Sequence, residues 1–457
     1  MGKKLWAHKE LKRKSQFLII FLYENKGETD NMNYNTFLTL FGLNPNNFKQ
    51  VVSDPFVTDS GMTFLLEQRT DINRICPYCE SKAIEIKGYF DRLIRCTVNS
   101  NQRHELIVKK VRFICKNCGK TYSPKLENID KYSSITNYVK KLIVYDFFNR
   151  ISFTDIALKY DVSITTIFNL FDETFPSVKR GKLPKVLCID EFHFENDYDQ
   201  NYCCVLVDLK EKEIVDIIKN RKKEYLEEFF SSIDEKERNN VEIFISDMYD
   251  EYAAIKKKYF PKAIHIVDRF HIASQLTVAI KQRRVKVMNS FKITNRFYYN
   301  FMKRNWVLYE QRKSKIPNKD IKNKNNGYIY SFEYIFYKTL KEDHDLNIAY
   351  EILQDLLVKS YKTNDKNLRT FFCNIANKLI ALEDEVFKKV GSTFLKWLDQ
   401  IINAYTDNAI QNGYTNSMAE NTNNHIKTLI KISYGLNNFE RMRKRCILIS
   451  RKHQKRR

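Results

Sequence analysis

Two pairs of cysteines in this chain have the spacing of a metal site. Two residues separate Cys76 from Cys79 and Cys115 from Cys118, and Gly119 follows the second pair. A two-residue gap lets both thiolates of a pair reach one tetrahedral Zn²⁺, and glycine supplies the positive φ that such a turn often needs. The 35 residues between the pairs exceed the commonest zinc patterns, so a β-hairpin must bring the pairs together.

The intervening sequence favours that hairpin, because apolar and polar residues alternate over Ala83–Tyr89 and Leu106–Ile114. A site closed by four thiolates leaves no position for a substrate, so we expect a structural zinc ribbon. Two alternatives stay open. The pairs could be unrelated buried cysteines, or Cys96 or His104 could replace one of the four ligands.

Two aspartates and a glutamate could hold a harder metal ion. Asp190 and Asp247 each end a short apolar strand, and Glu420 lies on a later helical segment. Mg²⁺ prefers carboxylates, water and phosphate oxygens, and a pair of such ions can activate a nucleophilic oxygen and stabilise the leaving oxygen in phosphoryl transfer. The acids therefore predict phosphoryl transfer with Mg²⁺ or Mn²⁺. Asp268, which also ends a strand, is an alternative second acid.

Each acid also has a structural explanation. An aspartate at the end of a strand commonly forms a turn, and Glu420 follows Ser417 at the spacing of a capping box. Glu191 or Asp208 could take the place that we assign to Asp190. On the predicted helix, three polar residues share the face of Glu420 and would meet a phosphate backbone: Asn423, Asn424 and Lys427.

The elements around these acids must bring them together. Residues 182–273 predict three antiparallel strands followed by helix, strand, helix and strand, which is the order of a ribonuclease-H-like sheet. In that topology the first and fourth strands are neighbours, so Asp190 and Asp247 would lie side by side. Helical spacing of apolar residues predicts an all-helical insertion over residues 274–405, before the helix of Glu420.

A helix-turn-helix is predicted between the ribbon and this core. Ala157, Val162 and Ile167 fill the helix contact, the turn and the second helix, and Ser163 can cap that second helix. A plain helical hairpin is the alternative. Three residues at the start of the second helix would meet the major groove of DNA: Thr165, Thr166 and Asn169.

The charge of the chain indicates a polyanionic partner. Its 457 residues carry 78 Lys and Arg against 55 Asp and Glu, a net charge of +23. Residues 281–324 contribute +12 and residues 441–457 contribute +9, so we expect a DNA contact in each, with Arg283 and Arg284 in the first. The apolar run Phe17–Tyr23 is too short to span a bilayer, so the predicted partner is nucleic acid and not a membrane.

Four aromatic residues lie among the cations of the first basic segment, where they would suit stacking on distorted or single-stranded DNA: Tyr298, Tyr299, Trp306 and Tyr309.

Together these motifs resemble a known family. The ribbon and the helix-turn-helix are followed, in order, by the motifs Ile189–Phe192, Ser246–Tyr249, Asp268–His271 and Glu420–Lys427. From about Met32 to Ile449 the chain is similar to the DDE insertion-sequence transposases of the IS-L-three family.

The resemblance implies binding to the terminal inverted repeats of an insertion sequence, followed by Mg²⁺-dependent cleavage and transfer of strands to target DNA. Asp190, Asp247 and Glu420 match the catalytic acids of the family, and Asp268 and His271 match a further motif. The pairing of two DNA ends favours at least a dimer. A transcriptional regulator, a ribonuclease-H-type nuclease without strand joining and a degenerate transposase copy are the alternatives.

The fold expected is a multidomain one, with an α/β ribonuclease-H-like core interrupted by an all-α insertion and preceded by a zinc ribbon and a helix-turn-helix. No signal-peptide cleavage site follows the basic start, so we expect a cytoplasmic, nucleoid-associated protein. The predicted segments are a leader (1–31), an N-terminal segment (32–70), the ribbon (71–127), the helix-turn-helix (130–178), the first part of the core (182–273), the insertion (274–405), the Glu-bearing helix (406–440) and a basic tail (441–457).

Overall fold

The chain divides into two units, each with its own sheet and helices: Met1–Val178 with Thr428–Arg457, and Lys179–Lys427. Among the described residues, no helix is both long enough and apolar enough to cross a membrane. The predicted leader, residues 1–31, lies outside the described part. The computed structural model describes residues 34–51, 56–58, 61–70, 74–97, 103–194, 202–323, 327–415, 417–432 and 438–454.

The first unit begins with a short helix and a six-stranded sheet. Its elements are α1 (Tyr34–Leu40), β1 (Phe48–Gln50), β2 (Phe56–Thr58), β3 (Gly61–Gln68), β4 (Ile84–Arg95), β5 (Arg103–Cys115) and β6 (Thr121–Tyr122).

The predicted hairpin of the ribbon is confirmed, because β4 and β5 pair in antiparallel fashion. The predicted boundary at residue 70 is wrong. Strand β3 of the presumed N-terminal segment pairs in parallel with β5, so the two segments share one sheet. Gly61 is required there, since a Cβ at this position would lie 1.6 Å from the carbonyl oxygen of Arg103.

Three helices follow the sheet: α2 (Asn137–Asp146), α3 (Phe153–Lys159) and α4 (Ile164–Thr174). Ser163 caps α4 as predicted, because its hydroxyl accepts a hydrogen bond from the backbone N–H of Thr166 at 3.1 Å. Ala157 and Ile167 are buried at the helix contact, as the helix-turn-helix pattern predicts.

The last helix of the first unit is α17 (Phe439–Gln454), so the predicted basic tail is part of a helix and its boundary at residue 441 is wrong. Arg441 donates two hydrogen bonds to Asp172, at 2.9 and 2.7 Å. Arg445 is 1% exposed, and its guanidinium lies 4.1 Å from the centre of the ring of Phe153. The same guanidinium donates hydrogen bonds to the carbonyl oxygens of Asn149 and Ile151. These two arginines therefore build the unit that contains α3 and α4, instead of meeting DNA.

The second unit contains a five-stranded sheet in the order β11-β10-β7-β8-β9. Its sheet and the helices around it are β7 (Val186–His193), β8 (Tyr202–Asp208), β9 (Glu213–Ile218), α5 (Lys223–Ser231), α6 (Glu235–Arg238), β10 (Ile243–Ser246), α7 (Asp250–Tyr259) and β11 (Ile264–Val267). Strands β7, β8 and β9 are antiparallel, whereas β10 runs parallel to β7 and β11 runs parallel to β10. The predicted adjacency of the first and fourth strands is confirmed.

One face of this sheet carries the apolar core. Leu187, Ile189 and Phe244 point to that face and pack with Leu226 of α5 and Tyr252 of α7. Because side chains alternate between the faces of a strand, residues 188 and 190 of β7 point to the opposite face. That second face is also apolar and buried at its centre, where Cys188, Val205 and Ile245 lie, and Asp190 lies on it toward the carboxyl end of β7.

The insertion is mainly helical, but the prediction that it is all-helical is wrong. Its start at residue 274 is also wrong, because α8 runs without a break from Arg269. The insertion contains a small antiparallel hairpin of β12 and β13. Its elements are α8 (Arg269–Thr294), α9 (Arg296–Arg304), β12 (Asp320–Lys322), β13 (Ile329–Ser331), α10 (Phe332–Lys341), α11 (His344–Gln354), α12 (Leu368–Ile380), α13 (Glu385–Lys396) and α14 (Leu398–Tyr405), followed by α15 (Asp407–Gln411) and α16 (Ser417–Ile432).

Replacement of Arg445 by alanine should destabilise the first unit. The change would remove a buried guanidinium and leave two carbonyl oxygens without their donor, at a cost of about 2–4 kcal/mol of unfolding free energy. Calorimetry of Arg445→Ala and of the half-buried neighbour Lys444→Ala would test this. Equal melting temperatures for the two variants would contradict the structural role of Arg445.

Candidate active site

Three aspartates fall in one row across the parallel strands of the second unit. Cys188 of β7 is in register with Ile245 of β10, and Ser246 of β10 is in register with Val267 of β11. The same register, continued toward the carboxyl ends, aligns Asp190 with Asp247 and Asp247 with Asp268. The backbone N–H of Asp268 still donates to the carbonyl oxygen of Ser246, at 2.9 Å. Neighbouring strands lie about 4.8 Å apart, so the row places the three carboxylates at adjacent positions.

This row lies on the face of the sheet opposite the apolar core. Asp190 is two residues beyond Cys188, and side chains two apart on a strand share a face. Glu191 belongs to the other face, where its carboxylate accepts hydrogen bonds from Arg221 at 2.7 Å and from Tyr252 at 2.9 Å. The strand therefore separates Asp190 from the acid that could have been mistaken for it.

Asp208, the other alternative to Asp190, forms a turn instead. Its carboxylate accepts hydrogen bonds from the backbone N–H groups of Lys210 and Glu211, at 2.8 and 3.0 Å, after the end of β8. This is the structural role that strand-terminal aspartates commonly have.

Helix α16 contributes an amide that positions Asp190. The side-chain nitrogen of Asn423 donates to Oδ2 of Asp190 at 2.7 Å and to the carbonyl oxygen of Glu191 at 3.0 Å. Asn423 is 3% exposed, and its predicted contact with DNA stays a prediction. Its neighbours Asn424 and Lys427 are exposed.

Glu420, one turn before Asn423, groups with Asp268 and His271. One ligand atom from each of these three residues lies within 4.8 Å of the other two. Asp268 precedes the first residue of α8, and His271 follows it by three positions, which puts both on one side of the first helical turn. Ser417, the partner for a capping box with Glu420, has a side chain that lies outside the described residues.

Burial and mutual repulsion make these acids hard to ionise. Burial raises the pKa of Asp190 to about 6 and that of Asp247 to about 7. The charge of Glu420 raises the pKa of Asp190 further, and the charges of Glu191 and Asp190 do so for Asp247. The pKa of Glu420 is raised by burial and by the charge of Asp268. A positive charge on His271 opposes the rise in pKa at all three acids.

We call Asp190, Asp247, Asp268, His271 and Glu420 the acid centre. Of these five, Asp268, His271 and Glu420 bring their ligand atoms close enough together to hold one cation, whereas Asp190 and Asp247 lie outside that set. A cation among the carboxylates would favour their ionised forms and so reverse the effect of burial. Oδ1 of Asp247 is buried and has no hydrogen-bond partner among the described residues. Carboxylate oxygens suit Mg²⁺ and Mn²⁺, and imidazole is a ligand for softer divalent ions.

The sequence identified Asp190, Asp247, Asp268 and Glu420 as candidate ligands of a metal ion. It indicated no role for His271. The available signal was the spacing of Asp268 and His271, since two side chains three apart at the start of a helix lie side by side. The positioning of Asp190 by Asn423 had no signal in the sequence, because the two residues are more than 200 positions apart.

The four cysteines form a second group of metal-ligating side chains, in the first unit. Their sulfur atoms all lie within 4.8 Å of one another. The distance between sulfurs is 3.6 Å both for Cys76 and Cys118 and for Cys79 and Cys115. Sulfurs held about 2.3 Å from a tetrahedral Zn²⁺ are about 3.8 Å apart, so the set fits zinc. Cys96 is absent from this group and is buried in the apolar core beside α1.

The two cysteine turns have the same backbone structure. The N–H of Glu80 donates to the carbonyl oxygen of Cys76 at 2.9 Å, and the N–H of Gly119 donates to that of Cys115 at 2.8 Å. Gly119 has the positive φ that was predicted, and Glu80 has one as well. A hydrogen bond from the backbone N–H of Cys118 is the main cause that lowers the pKa of Cys115 to about 6. Although a backbone hydrogen bond from Lys120 lowers the pKa of Cys118, burial and the neighbouring thiols outweigh it and raise that pKa to about 11.

At the start of α4, the predicted DNA-contacting residues differ in exposure. Thr165 and Asn169 are exposed, whereas Thr166 is half-buried and its hydroxyl lies 2.8 Å from that of Ser163. Helix α4 is thus free to present Thr165 and Asn169 to a ligand, while Thr166 serves the cap.

The predicted DNA contact by Arg283 and Arg284 stays a prediction, and both residues have partners within the insertion. Arg283 forms ion pairs with Asp343 at 2.6 Å and Asp384 at 3.1 Å. Arg284 is 5% exposed and donates to the carbonyl oxygen of Met302 at 3.0 Å. Both guanidinium groups hold the helices of the insertion together.

The aromatic residues expected to stack on DNA also include core residues. Tyr309 is fully buried and bonds to Thr339 at 2.6 Å, and Tyr298 packs on Phe291. Trp306 is exposed, with the ammonium of Lys281 5.7 Å from its ring.

Comparison with known proteins gives two matches. A family model described as a transposase, of the DDE type IS-L-three, matches residues 187–446, which is more than half of the chain and includes the whole acid centre. A curated protein from Lactococcus lactis subsp. lactis, named an ATP-dependent protease, is 30% identical over 111 residues. That match covers 24% of this chain and 33% of the relative, so the chain spans about a third of the length of this relative.

Substitution of Cys115 by serine should remove bound metal from the first unit. Loss of a direct ligand should weaken zinc binding by more than the roughly 10–100-fold that loss of an outer-shell partner costs, and should lower the melting temperature. Elemental analysis and thermal melting would compare Cys115→Ser with Cys373→Ser, a half-buried cysteine outside the group. Retention of zinc in Cys115→Ser would show that these four thiols are not the site.

Proposed function

The chain belongs to the IS-L-three family of DDE transposases, and we propose from this premise that it binds the terminal inverted repeats of an insertion sequence and cuts and joins DNA strands. The observation that carries the proposal is the row of Asp190, Asp247 and Asp268 across three parallel strands, with Glu420 and His271 beside it. Crowded, buried acids of this kind need a cation to ionise together.

The sheet of the second unit supports the assignment of a ribonuclease-H-like core. Three antiparallel strands are followed by two that run parallel to the first, in the order β11-β10-β7-β8-β9. This arrangement puts the carboxyl ends of β7, β10 and β11 at one edge of the sheet, which is where acids from separate strands can share metal ions.

The proposed centre would hold Mg²⁺ or Mn²⁺ through two neighbouring sets of donors. Asp190 and Asp247 form one set, and Glu420 forms the other together with Asp268 and His271. Divalent ions about 3.5–4 Å apart supply activation of the attacking oxygen and stabilisation of the leaving oxygen at a phosphate. The sequence analysis treated Asp268 as an alternative to Asp247. In this proposal both residues are metal ligands.

Other side chains would position the catalytic acids and contact the DNA backbone. Asn423 holds one oxygen of Asp190 by its hydrogen bond of 2.7 Å. Arg221 and Tyr252 hold Glu191 on the opposite face, which keeps its negative charge in a fixed place beside Asp247. Asn424 and Lys427 are exposed on the helix of Glu420, where they can contact a DNA backbone.

The first unit would recognise the element end. Thr165 and Asn169 at the exposed start of α4 would reach base edges in the major groove, and the four cysteines would hold a structural Zn²⁺ beside the β4–β5 hairpin. We also propose a homodimer on DNA, since two element ends must be paired, and a place in the cytoplasm on the nucleoid.

Three substitutions test the catalytic assignment: Asp190→Asn, Asp247→Asn and Glu420→Gln. Each would remove a carboxylate charge and so lower the rate of Mg²⁺-dependent cleavage of end-bearing DNA by about a thousandfold or more, since a metal ion supplies several kcal/mol of stabilisation to the transition state. End binding should be unchanged, because the first unit provides it. Asp208→Asn, which changes a turn acid of the same sheet, is the matched control and should cleave like the wild type.

The products of the wild-type reaction separate the proposed function from simple hydrolysis. Joined strands in a target plasmid support a transposase, whereas cut ends without joining indicate a nuclease. If all three acid variants cut and join like the wild type, the acids are misassigned.

A further inference from the structure

The β12–β13 hairpin of the insertion presents a row of tyrosines that the acid centre does not use. Tyr328 and Tyr330 are two residues apart on one extended segment, and Tyr334 lies in the first turn of α10. The rings of Tyr330 and Tyr334 are stacked, with centroids 6.1 Å apart and planes 9° from parallel. Tyr328 meets Tyr330 edge-on at 6.4 Å. The three rings therefore form one continuous aromatic surface.

Much of this surface faces solvent. Tyr328 is 66% exposed and Tyr334 is 54% exposed. Single exposed apolar residues are ordinary, but a contiguous set marks a surface that binds a partner. The middle ring, Tyr330, is half-buried and also meets Phe297 of α9 at 6.2 Å, so the exposed part of the surface is provided by Tyr328 and Tyr334.

The charge around the row fits a polyanion. Residues 311–334 carry six Lys and Arg against two acids. Five of the six cations are described and exposed, and two of them lie close to the row, since Lys322 is in register with Ile329 and Lys319 lies 5.0 Å from the ring of Phe332. The five cations are Arg312, Lys313, Lys315, Lys319 and Lys322.

We propose that the hairpin is a platform on which unpaired bases of DNA stack while the surrounding cations bind the phosphates. Exposed aromatic faces beside cations are the features with which proteins bind single strands without reading their sequence. Duplex DNA offers only its phosphates to such a surface, because its base faces are already stacked on one another. This inference rests on the proposed function, since the cutting and joining of strands exposes unpaired nucleotides near the ends.

The test compares two double variants of the full chain, Y328L/Y334L and Y328F/Y334F. Leucine keeps an apolar side chain of moderate size but removes the ring, whereas phenylalanine keeps the ring. Both positions are more than half exposed, so the folded state should survive each change, and a thermal melt checks this. Binding is measured with zinc in the cysteine site and without added Mg²⁺ or Mn²⁺, by anisotropy of a labelled 12-nucleotide thymidine strand, and stacking is measured by quenching of a 2-aminopurine base placed within it.

Wild type and Y328F/Y334F should bind the single strand equally and quench the probe. Y328L/Y334L should bind about tenfold or more weakly and should not quench, while its affinity for a duplex of the same length should be unchanged. Equal binding and quenching by the leucine variant would overturn the platform, even if the wild type cleaves end-bearing DNA as the proposed function requires. A leucine variant that changes only the oligomeric state would also overturn it and indicate a protein partner. Failure of the wild type to bind either DNA would overturn the platform and the proposed function together.

Discussion

The in-register parallel pairing of β7, β10 and β11 is the constraint on which the rest of the second unit depends. It aligns Asp190, Asp247 and Asp268 across neighbouring strands, at the carboxyl ends of those strands. A shift of one residue in any strand would turn its carboxylate to the other face. Burial raises the pKa values of Asp190 and Asp247, and repulsion between neighbouring carboxylates raises them further. A cation relieves that repulsion, so the same register that orders the sheet also creates the need for a metal.

The net charge of +23 proves to have two separate uses in the structure. Some of its arginines build the fold: Arg284 and Arg445 are buried, and Arg283 and Arg441 are ion-paired with aspartates. Other cations stay exposed, as around the β12–β13 hairpin and on α16 beside Glu420. A count of charges along the chain cannot separate the two uses, because it does not show which guanidinium group meets a carbonyl or a carboxylate from a distant segment.

Features that depend on residues close together in the sequence could be predicted from it. The cysteine spacing, the β4–β5 hairpin, the Ser163 cap and the strand order of the second unit depend on short-range patterns, and the structure has them. Features that depend on distant contacts could not be predicted. The pairing of β3 with β5, the bond from Asn423 to Asp190 and the burial of Arg445 each join segments that are far apart in sequence. The β12–β13 hairpin was missed for another reason, since strands of three residues are too short to establish a period of two.

Binding of Mn²⁺ by the full chain is the most direct test of whether the aligned acids form a metal centre. Electron paramagnetic resonance of a titration with Mn²⁺, after zinc has filled the cysteine site, reports bound ions without requiring DNA or turnover. We expect saturable binding to the wild type, a nitrogen coupling from the imidazole of His271, and an affinity at least about tenfold lower in Asp190→Asn and in Asp247→Asn. Binding of equal strength in the wild type and in both variants would contradict the metal centre and, with it, the proposed chemistry.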